Sequence, residues 1–436
     1  MSVTSRRLRS IAAVALVAGL GMGTAACSNK KDDDGGSSDS GPVTVVLQTF
    51  GNFGYDQAIK DFEASHPNIK VDHQKMGELR DFQPKLVQAL AAGSGAGDVV
   101  GLEEGVLLQY VAAADKFADL NALGAGELKS QFPEWKWARA TTPQGKTIGL
   151  GTDVGGLAIC YRKDMFAQAK LPTDRDEVGK LWASGWDAFI EQGKKFKASG
   201  IKAAWIDSAT SIMQPYIMQN SQTWFYSEDN KFIGDTNPVV RTAWDKGLEM
   251  AKEGLTAKVQ RWQPDWDAAF KNNAFATIPC PAWMTEGVIK PKSGDANAGK
   301  WDVAPVPGGS GNWGGSYLGI PEQSKHKPQA YELAKYLTGK AGQLAAWNEA
   351  SAMPSNLEAA ADPAFADAKS EYFSNAPIGK IFGDSVKNIQ PVYLGPLHQQ
   401  LWETVLEPAM QAAERGQKSS DAAWAGAMAE AKKTVG

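Results

Sequence analysis

The spacing of apolar residues along the chain alternates between that of short strands and that of amphipathic helices. Residues 43–50 (VTVVLQTF) form a β-branched run that predicts a strand. A helix is predicted over about 55–65, where apolar residues recur at helical spacing, and the letters HPN at 66–68 separate it from a second strand that begins at Ile69. A strand, a helix and a strand in this order predict a parallel pair within one sheet.

The same alternation continues along the chain, and its last third is helical. Further strands are predicted near 98–102, 146–150, 157–161, 202–206, 275–278, 302–306 and 316–320, and further helices near 82–92, 186–198, 239–253, 328–338 and 422–433. Ser419 or Ser420 caps the last helix. Before it, one apolar stripe runs through Leu397, Leu401, Val405 and Met410. The pattern predicts an α/β fold, and 436 residues suit two or three domains or one large two-lobed domain.

Residues 1–26 have the pattern of a signal peptide for export. Arginines near the start precede an apolar run at 11–22, which is shorter than the roughly 20 residues that a membrane span needs. Small residues then lead to Cys27, and this arrangement resembles the bacterial lipobox, in which the cysteine is lipidated and becomes the first mature residue. An ordinary secretory signal with an accidental cysteine is the alternative.

The residues that follow Cys27 predict a tether. Positions 27–42 are small, polar and charged, so they have nothing to bury and are expected to be disordered. We therefore expect the folded part to be held at the extracellular face of the cell membrane by lipid, including palmitate, on Cys27. The other two cysteines, Cys160 and Cys280, lie in apolar, strand-like stretches. They form either a disulfide, as the extracellular location allows, or two small buried apolar positions.

The composition and the absence of several sequence motifs argue against some classes of function. The net charge is −4 without a basic block, which argues against nucleic acid as a partner. The four histidines lack zinc-protease spacing, and no phosphate-loop lysine follows the glycine-rich stretch at 308–315. We therefore predict no metal and no cofactor. Among the carboxylates, Glu103 and Glu104 are the best candidate for a glycosidase pair, although acids also sit favourably at a helix N-terminus.

Several segments, taken in their order, resemble the extracellular solute-binding proteins of carbohydrate importers driven by ATP-binding-cassette (ABC) motors, the family of the maltose- and oligosaccharide-binding proteins. The matching segments are FEASHPNIKV at 62–71, LVQALAAGSGAGDVV at 86–100, GKTIGL at 145–150, CYRKDMF at 160–166, the stretch 270–284 that ends just after Trp283, WDVAPVP at 301–307 and the helix at 324–337. The resemblance covers nearly all of residues 43–436.

This resemblance implies a periplasmic-binding-protein-like fold with two α/β lobes, crossing hinge strands and a ligand cleft between the lobes. Lobe one would hold residues 43–153 and 318–370, and lobe two would hold residues 154–317 and 371–436. The lobes would close on the ligand by hinge motion. The family implies a monomer that is not an enzyme and that delivers an oligosaccharide to the permease subunits of an ABC transporter.

A sugar has hydroxyl edges and apolar faces, so its site needs flat aromatic rings together with carboxylate, amide or arginine groups. Fifteen tryptophans offer such rings. By resemblance, Trp283 is expected to stack on the sugar and Asp153, at the first crossing, to accept its hydroxyls. Trp313 and Gly314 lie at the second crossing. The other candidates are Phe50, Asn52, Arg80, Glu103, Glu104, Trp205 and Tyr393, followed by Gln48, Gln214 and Trp224.

We therefore expect sugar capture for an ABC importer. The tryptophan content favours an oligosaccharide, with cello-oligosaccharide as the leading guess. A secreted lipoprotein glycoside hydrolase is the enzyme alternative, and a binding protein for a non-sugar solute is the other.

Overall fold

The computed structural model of the protein describes residues 42–387 and 389–436. The signal peptide, Cys27 and the tether up to Gly41 lie outside these residues. The strands are β1 Val43–Thr49, β2 Ile69–Lys75, β3 Val99–Glu103, β4 Leu150–Gly151, β5 Leu157–Arg162, β6 Ala204–Ile206, β7 Phe275–Pro281, β8 Trp301–Pro305 and β9 Ser316–Gly319.

Helices connect and cover these strands. The α-helices are α1 Asp56–Ser65, α2 Leu79–Ala92, α3 Glu104–Ala112, α4 Glu134–Arg139, α5 Lys163–Gln168, α6 Arg175–Leu181, α7 Trp186–Ala198, α8 Met213–Asn220, α9 Pro238–Lys252, α10 Pro264–Lys271, α11 Ala282–Met284, α12 Lys290–Ser293, α13 Lys327–Thr338, α14 Lys340–Ala350, α15 Leu357–Ala360, α16 Pro363–Ala366, α17 Ile378–Val386, α18 His398–Leu401, α19 Glu407–Glu414 and α20 Ser420–Val435. Short 3₁₀ helices lie at Ala114–Lys116, Leu120–Leu123, Ala125–Gln131, Ala209–Ile212 and Asp295–Asn297, and π-helical turns at Thr285–Ile289 and Trp402–Leu406. Within the described part of the chain, no helix is long and apolar enough to cross a membrane.

The first sheet has the strand order β2-β1-β3-β9-β4. β1 pairs in parallel with β2 and β3, as the strand–helix–strand pattern predicts, whereas β9 runs antiparallel to both β3 and β4. Val45 and Leu47 of β1 point into a core with Phe62 of α1, because alternate residues of a strand face the same side. β4 is shorter than the predicted strand at 146–150, since the Thr147 carbonyl accepts from Leu120 at the start of a 3₁₀ helix and the Ile148 N–H donates to Ala140, which follows α4.

The second sheet has the order β6-β7-β5-β8, with β5 antiparallel to both of its neighbours and β6 parallel to β7. Every residue of β5 and β7 is buried, so both faces of these central strands are covered. Cys160 of β5 and Cys280 of β7 form a disulfide with a Cα–Cα distance of 5.8 Å. Of the two alternatives for these cysteines, the structure therefore has the disulfide.

The chain crosses between the two sheets along adjacent segments. It leaves β4 through residues 152–156 and returns from β8 to β9 through residues 306–315. Gly155 donates its backbone N–H to the Asn312 side chain at 2.9 Å and accepts from the Trp313 N–H at 2.8 Å. A Cβ atom at Gly155 would lie 1.8 Å from the Trp313 carbonyl oxygen, so this close approach requires glycine. A third segment lies beside these two crossing segments, since the Val154 N–H donates to Met353 O at 2.9 Å.

The C-terminal third is helical, as predicted. α13 packs against strands of the first sheet and α17 against β5 and β8 of the second. The apolar stripe through Leu401, Val405 and Met410 lies in one core together with residues of α9 and α20. The step of five residues from Val405 to Met410 coincides with the π-helical turn at Trp402–Leu406, which adds one residue to the turn.

Candidate functional site

The crossing segments meet the C-terminal end of β3, where two acidic residues lie next to each other. Glu103 caps α3, because its Oε2 accepts a hydrogen bond from the Gly105 N–H at 2.6 Å. Its other oxygen faces the crossing: a Cβ atom placed on Gly314 would lie 3.5 Å from Glu103 Oε1. Burial raises the pKa of Glu103 to about 8, and the carboxylate of Glu104 adds to that rise. Glu103 therefore has an oxygen near the crossing that its cap does not use.

Glu104, by contrast, is occupied by the protein itself. Its side chain is fully buried, and Oε1 accepts from the Asn312 amide at 3.0 Å and from the Arg139 guanidinium. Oε2 accepts from Lys136 Nζ at 3.4 Å, and the backbone N–H of Glu104 donates to Gly315 O at 2.9 Å. A carboxylate that neutralises two buried cations serves to stabilise the fold. This arrangement gives no support to the prediction that Glu104 binds ligand.

Asp153 lies on the first crossing and is also bonded within the protein. Its Oδ1 accepts from the Ser316 N–H at 2.8 Å and from the Thr152 hydroxyl at 2.7 Å. Burial raises the pKa of Asp153, and the charge of Lys136 opposes that rise. Both bonds fall on one oxygen, and they fix the carboxyl group beside the start of β9.

Three half-buried tryptophans lie near one another beside the second crossing: the stacked pair Trp262 and Trp283, and Trp313, whose backbone carbonyl contacts Trp283. Trp283 follows the end of β7, and its indole N–H donates to the Trp313 carbonyl at 3.3 Å. The ring of Trp262 stacks on that of Trp283, with centroids 6.1 Å apart and an interplanar angle of 23°. Each of the three keeps part of its surface exposed, unlike the fully buried Trp205 and Trp224. Flat, partly exposed rings of this kind are what a sugar face requires. We call Trp262, Trp283 and Trp313 the tryptophan cluster.

Arg261 lies against the ring of Trp313 and was not among the residues predicted from the sequence. Its guanidinium carbon is 4.5 Å from the centroid of the Trp313 ring, and Nε donates to Asp207 Oδ2 at 2.8 Å. Asp207 is itself held by Trp266 Nε1 at 2.9 Å and by Ser211 Oγ at 2.6 Å. The only sequence signal for Arg261 was its position next to a tryptophan. No sequence signal pointed to Asp207.

A buried carboxyl group of α19 lies in the same region. Burial raises the pKa of Glu407 to about 7, the guanidinium groups of Arg80 and Arg261 oppose that rise, and Glu403 adds to it. Glu403 also contributes to the raised pKa of Glu103. The charges of Arg80, Arg261 and Glu403 thus act on Glu407, and that of Glu403 also acts on Glu103. Of these residues, Arg80 and Glu103 were predicted, and Arg261, Glu403 and Glu407 were not.

The remaining predicted residues divide into two groups. Phe50 stays half-buried and packs edge-on to Phe53 at 5.1 Å, and Asn52 is exposed and accepts from the Gly54 N–H at 3.1 Å. The hydroxyl of Tyr393 is 2.8 Å from Asn230 Oδ1. These three have at least partly exposed surfaces.

Trp205 and Trp224 are core residues. Trp205 is only 1% exposed and is enclosed by aromatic rings that include Phe166, Trp182 and Phe189. Trp224 is fully buried and packs against His398 at 4.6 Å. Both rings are packed against other aromatic side chains of the core, and this arrangement gives no support to the prediction that Trp205 contacts the ligand. Within the described residues, no group of three or more His, Cys, Asp or Glu side chains is placed to hold a metal ion.

Comparison with known proteins identifies the family of this chain. The model of the family described as bacterial extracellular solute-binding protein matches residues 57–371, which is most of the chain. The chain belongs to this family. As a bacterial extracellular solute-binding protein, it is 39% identical to a solved structure described as extracellular solute-binding protein family 1, with a TM-score of 0.81 over 91% of this chain and 100% of that one. No curated protein sequence matches the chain.

More distant solute-binding proteins share the fold. One is the ABC-transporter-associated binding protein from B. animalis subsp. lactis Bl-04, solved in complex with β-1,6-galactobiose, with 20% identity and a TM-score of 0.75 over 90% of this chain and 98% of that one. Another is the galacto-N-biose-/lacto-N-biose I-binding protein from Bifidobacterium longum, with 19% identity and a TM-score of 0.74 over 91% of this chain and 98% of that one. These likenesses confirm the two-sheet α/β fold of a periplasmic-binding-protein-like chain.

Proposed function

We propose that this protein captures a sugar outside the cell and delivers it to the permease subunits of an ABC importer. The observation that carries the proposal is the tryptophan cluster with Arg261 on its surface. Half-buried rings provide apolar faces, and a guanidinium group next to them provides charged donors for hydroxyl oxygens. The sugar-binding structures that share the fold support the same proposal.

An oligosaccharide is the proposed ligand, because the stacked pair Trp262 and Trp283 together with the separate ring of Trp313 can cover more than one sugar unit. Cello-oligosaccharide remains our leading candidate. The ligand would lie between lobe one (43–153 and 318–370) and lobe two (154–317 and 371–436), and Cys27 would hold a monomeric protein to the membrane through the tether.

A glycoside hydrolase is disfavoured by the state of Glu104. A catalytic pair needs both carboxyl groups directed at one glycosidic bond. Glu104 instead neutralises Lys136 and Arg139 in a fully buried position, which leaves Glu103 without a partner in the pair proposed from the sequence.

The test is a titration of residues 42–436, which form one compact unit. Binding of cellotriose, maltose, β-1,6-galactobiose and lacto-N-biose is followed by calorimetry and tryptophan fluorescence, and the solutions are then analysed for cleavage products. We expect saturable binding of at least one sugar, with no product after hours.

The matched variants are Trp283→Ala and Trp424→Ala. Trp424 of α20 is also half-buried, but its ring packs on Trp244 of α9 and on none of the three tryptophans of the cluster. Loss of a stacking ring should weaken binding at least about tenfold for the first variant and leave it unchanged for the second. Product formation would instead establish a hydrolase, and absence of binding across the panel would point to a non-sugar solute.

A further inference from the structure

Arg261 holds a buried guanidinium group of which a single nitrogen is hydrogen-bonded. The side chain of Arg261 is 3% exposed and that of Asp207, its partner through Nε, is fully buried. Nη1 and Nη2 are buried as well, and neither has a hydrogen-bond partner among residues 42–387 and 389–436. Burying a charged donor without a partner is unfavourable, so these two nitrogens call for an acceptor that the described chain does not supply.

The surroundings fix the direction of the group. Asp207 cannot turn away, because Ser211 and Trp266 both donate to it. The guanidinium plane is also held by the Trp313 ring, 4.5 Å away. The two free nitrogens are therefore pre-oriented next to the tryptophan cluster. Pre-orientation reduces the entropy that is lost when a partner binds.

The charges nearby determine what kind of partner suits these nitrogens. The carboxylate of Asp207, which accepts from Arg261 Nε at 2.8 Å, pairs with this guanidinium group. Because Asp207 already offsets the charge of Arg261, a carboxylate or phosphate on the ligand would bring a second negative charge to one guanidinium group. Hydroxyl oxygens accept hydrogen bonds without adding charge.

We propose that Arg261 is a specificity-determining ligand contact whose Nη1 and Nη2 donate to two adjacent hydroxyl oxygens of an uncharged sugar ring stacked on the tryptophan cluster. Asp207 is its positioning residue. This inference rests on the proposed sugar-binding function. It adds to that function a residue that recognises two adjacent hydroxyl groups and selects against acidic sugars.

The variants Arg261→Lys and Arg261→Met test the contact, and Arg162→Lys is the matched control. Arg162 is also buried, at 2% exposure, and lies 5.7 Å from the ring of Trp301, but Asp164 and Asn273 accept its hydrogen bonds. The probe is the tightest-binding sugar of the four-member panel, titrated by calorimetry. Near-ultraviolet circular dichroism and thermal melting confirm that each variant is folded.

We expect Arg261→Met to bind about 100-fold more weakly and Arg261→Lys about 10-fold more weakly, since hydrogen bonds from charged donors are lost or misaligned. Arg162→Lys should bind within about twofold of the wild type. Monodeoxy derivatives of the probe sharpen the test: one of them should lose affinity for the wild type but not for Arg261→Met, because both changes remove the same hydrogen bond. The uronic-acid form of the probe should bind the wild type at least about tenfold more weakly than the neutral sugar.

Each other result decides against the inference. Unchanged binding by Arg261→Met, or equal losses in Arg261→Met and Arg162→Lys, would overturn it and leave the sugar-binding function intact. Equal or tighter binding of the uronic-acid form would overturn the preference for neutral sugars. If the wild type binds none of the panel, the sugar-binding function fails and the inference fails with it.

Discussion

The substitution Glu104→Gln should destabilise the protein without a direct effect on ligand contact. Glu104 and Lys136 have fully buried side chains, and Arg139 is 9% exposed, so the glutamine would leave two nearly buried cations without their carboxylate. Removal of one partner from a buried ion pair costs about 3–5 kcal/mol. Glutamine retains one acceptor oxygen for Asn312 or Arg139, so we expect about 3 kcal/mol, at the lower end of this range.

The assay is urea unfolding of residues 42–436, followed by tryptophan fluorescence at pH 7. The control is Glu430→Gln on α20, where the carboxylate pairs with Lys433 at 3.1 Å but both side chains are largely exposed. Exposed pairs of this kind contribute about 0–1 kcal/mol. Both variants lose one negative charge, so the difference between their free energies of unfolding reports the effect of burial.

Two results would refute the reasoning. Equal unfolding midpoints for the two variants would mean that Glu104 does not hold the buried cations. A variant that keeps its stability but loses sugar affinity more than about tenfold would mean that Glu104 is a ligand residue after all.

Three further predictions follow from the same structure and sequence. Replacing Cys160 and Cys280 together by alanine should lower the free energy of unfolding by about 2–4 kcal/mol in urea titrations, because the disulfide closes a loop across 120 residues; the reduced wild type should match the double variant. Stability should fall as the pH rises from about 4.5 to about 8, since burial raises the folded-state pKa of Glu103 to about 8 and that of Glu407 to about 7, so their contribution is complete when both are protonated and is lost on ionisation. Urea titrations between pH 5 and pH 8 should show a shallower decline for the Glu103→Gln/Glu407→Gln variant, and an unchanged slope would contradict those pKa values. Cys27→Ala should release the protein from bacterial membranes into the medium and abolish incorporation of labelled palmitate; retention on the membrane would rule out the lipid anchor.

Local spacing was sufficient to predict most elements, and particular residues show why. Val45 and Leu47 alternate with less buried neighbours, and Ser419 caps α20 by accepting from the Ala422 N–H, both of which depend on residues a few positions apart. Trp283 was predicted because a strand ends just before it, and it does lie in an aromatic cluster. The limit of spacing appears at β4, where the apolar run at 146–150 bonds to Leu120 and Ala140 instead of forming a long strand.

The sequence by itself determined the α/β class, the order of strands and helices, the export signal as a prediction, and the family resemblance, because each depends on residues that are close in the chain. Only the tertiary structure decided which polar groups are free. Asn312 reaches Glu104 across 208 residues and Arg261 reaches Asp207 across 54. Trp205 and Trp283 both lie in or beside a strand, yet one is enclosed in a core and the other keeps an exposed surface. The physical reason is that burial and pairing are set by the neighbours that the crossing segments and helices bring from elsewhere in the chain, and local spacing does not encode those neighbours.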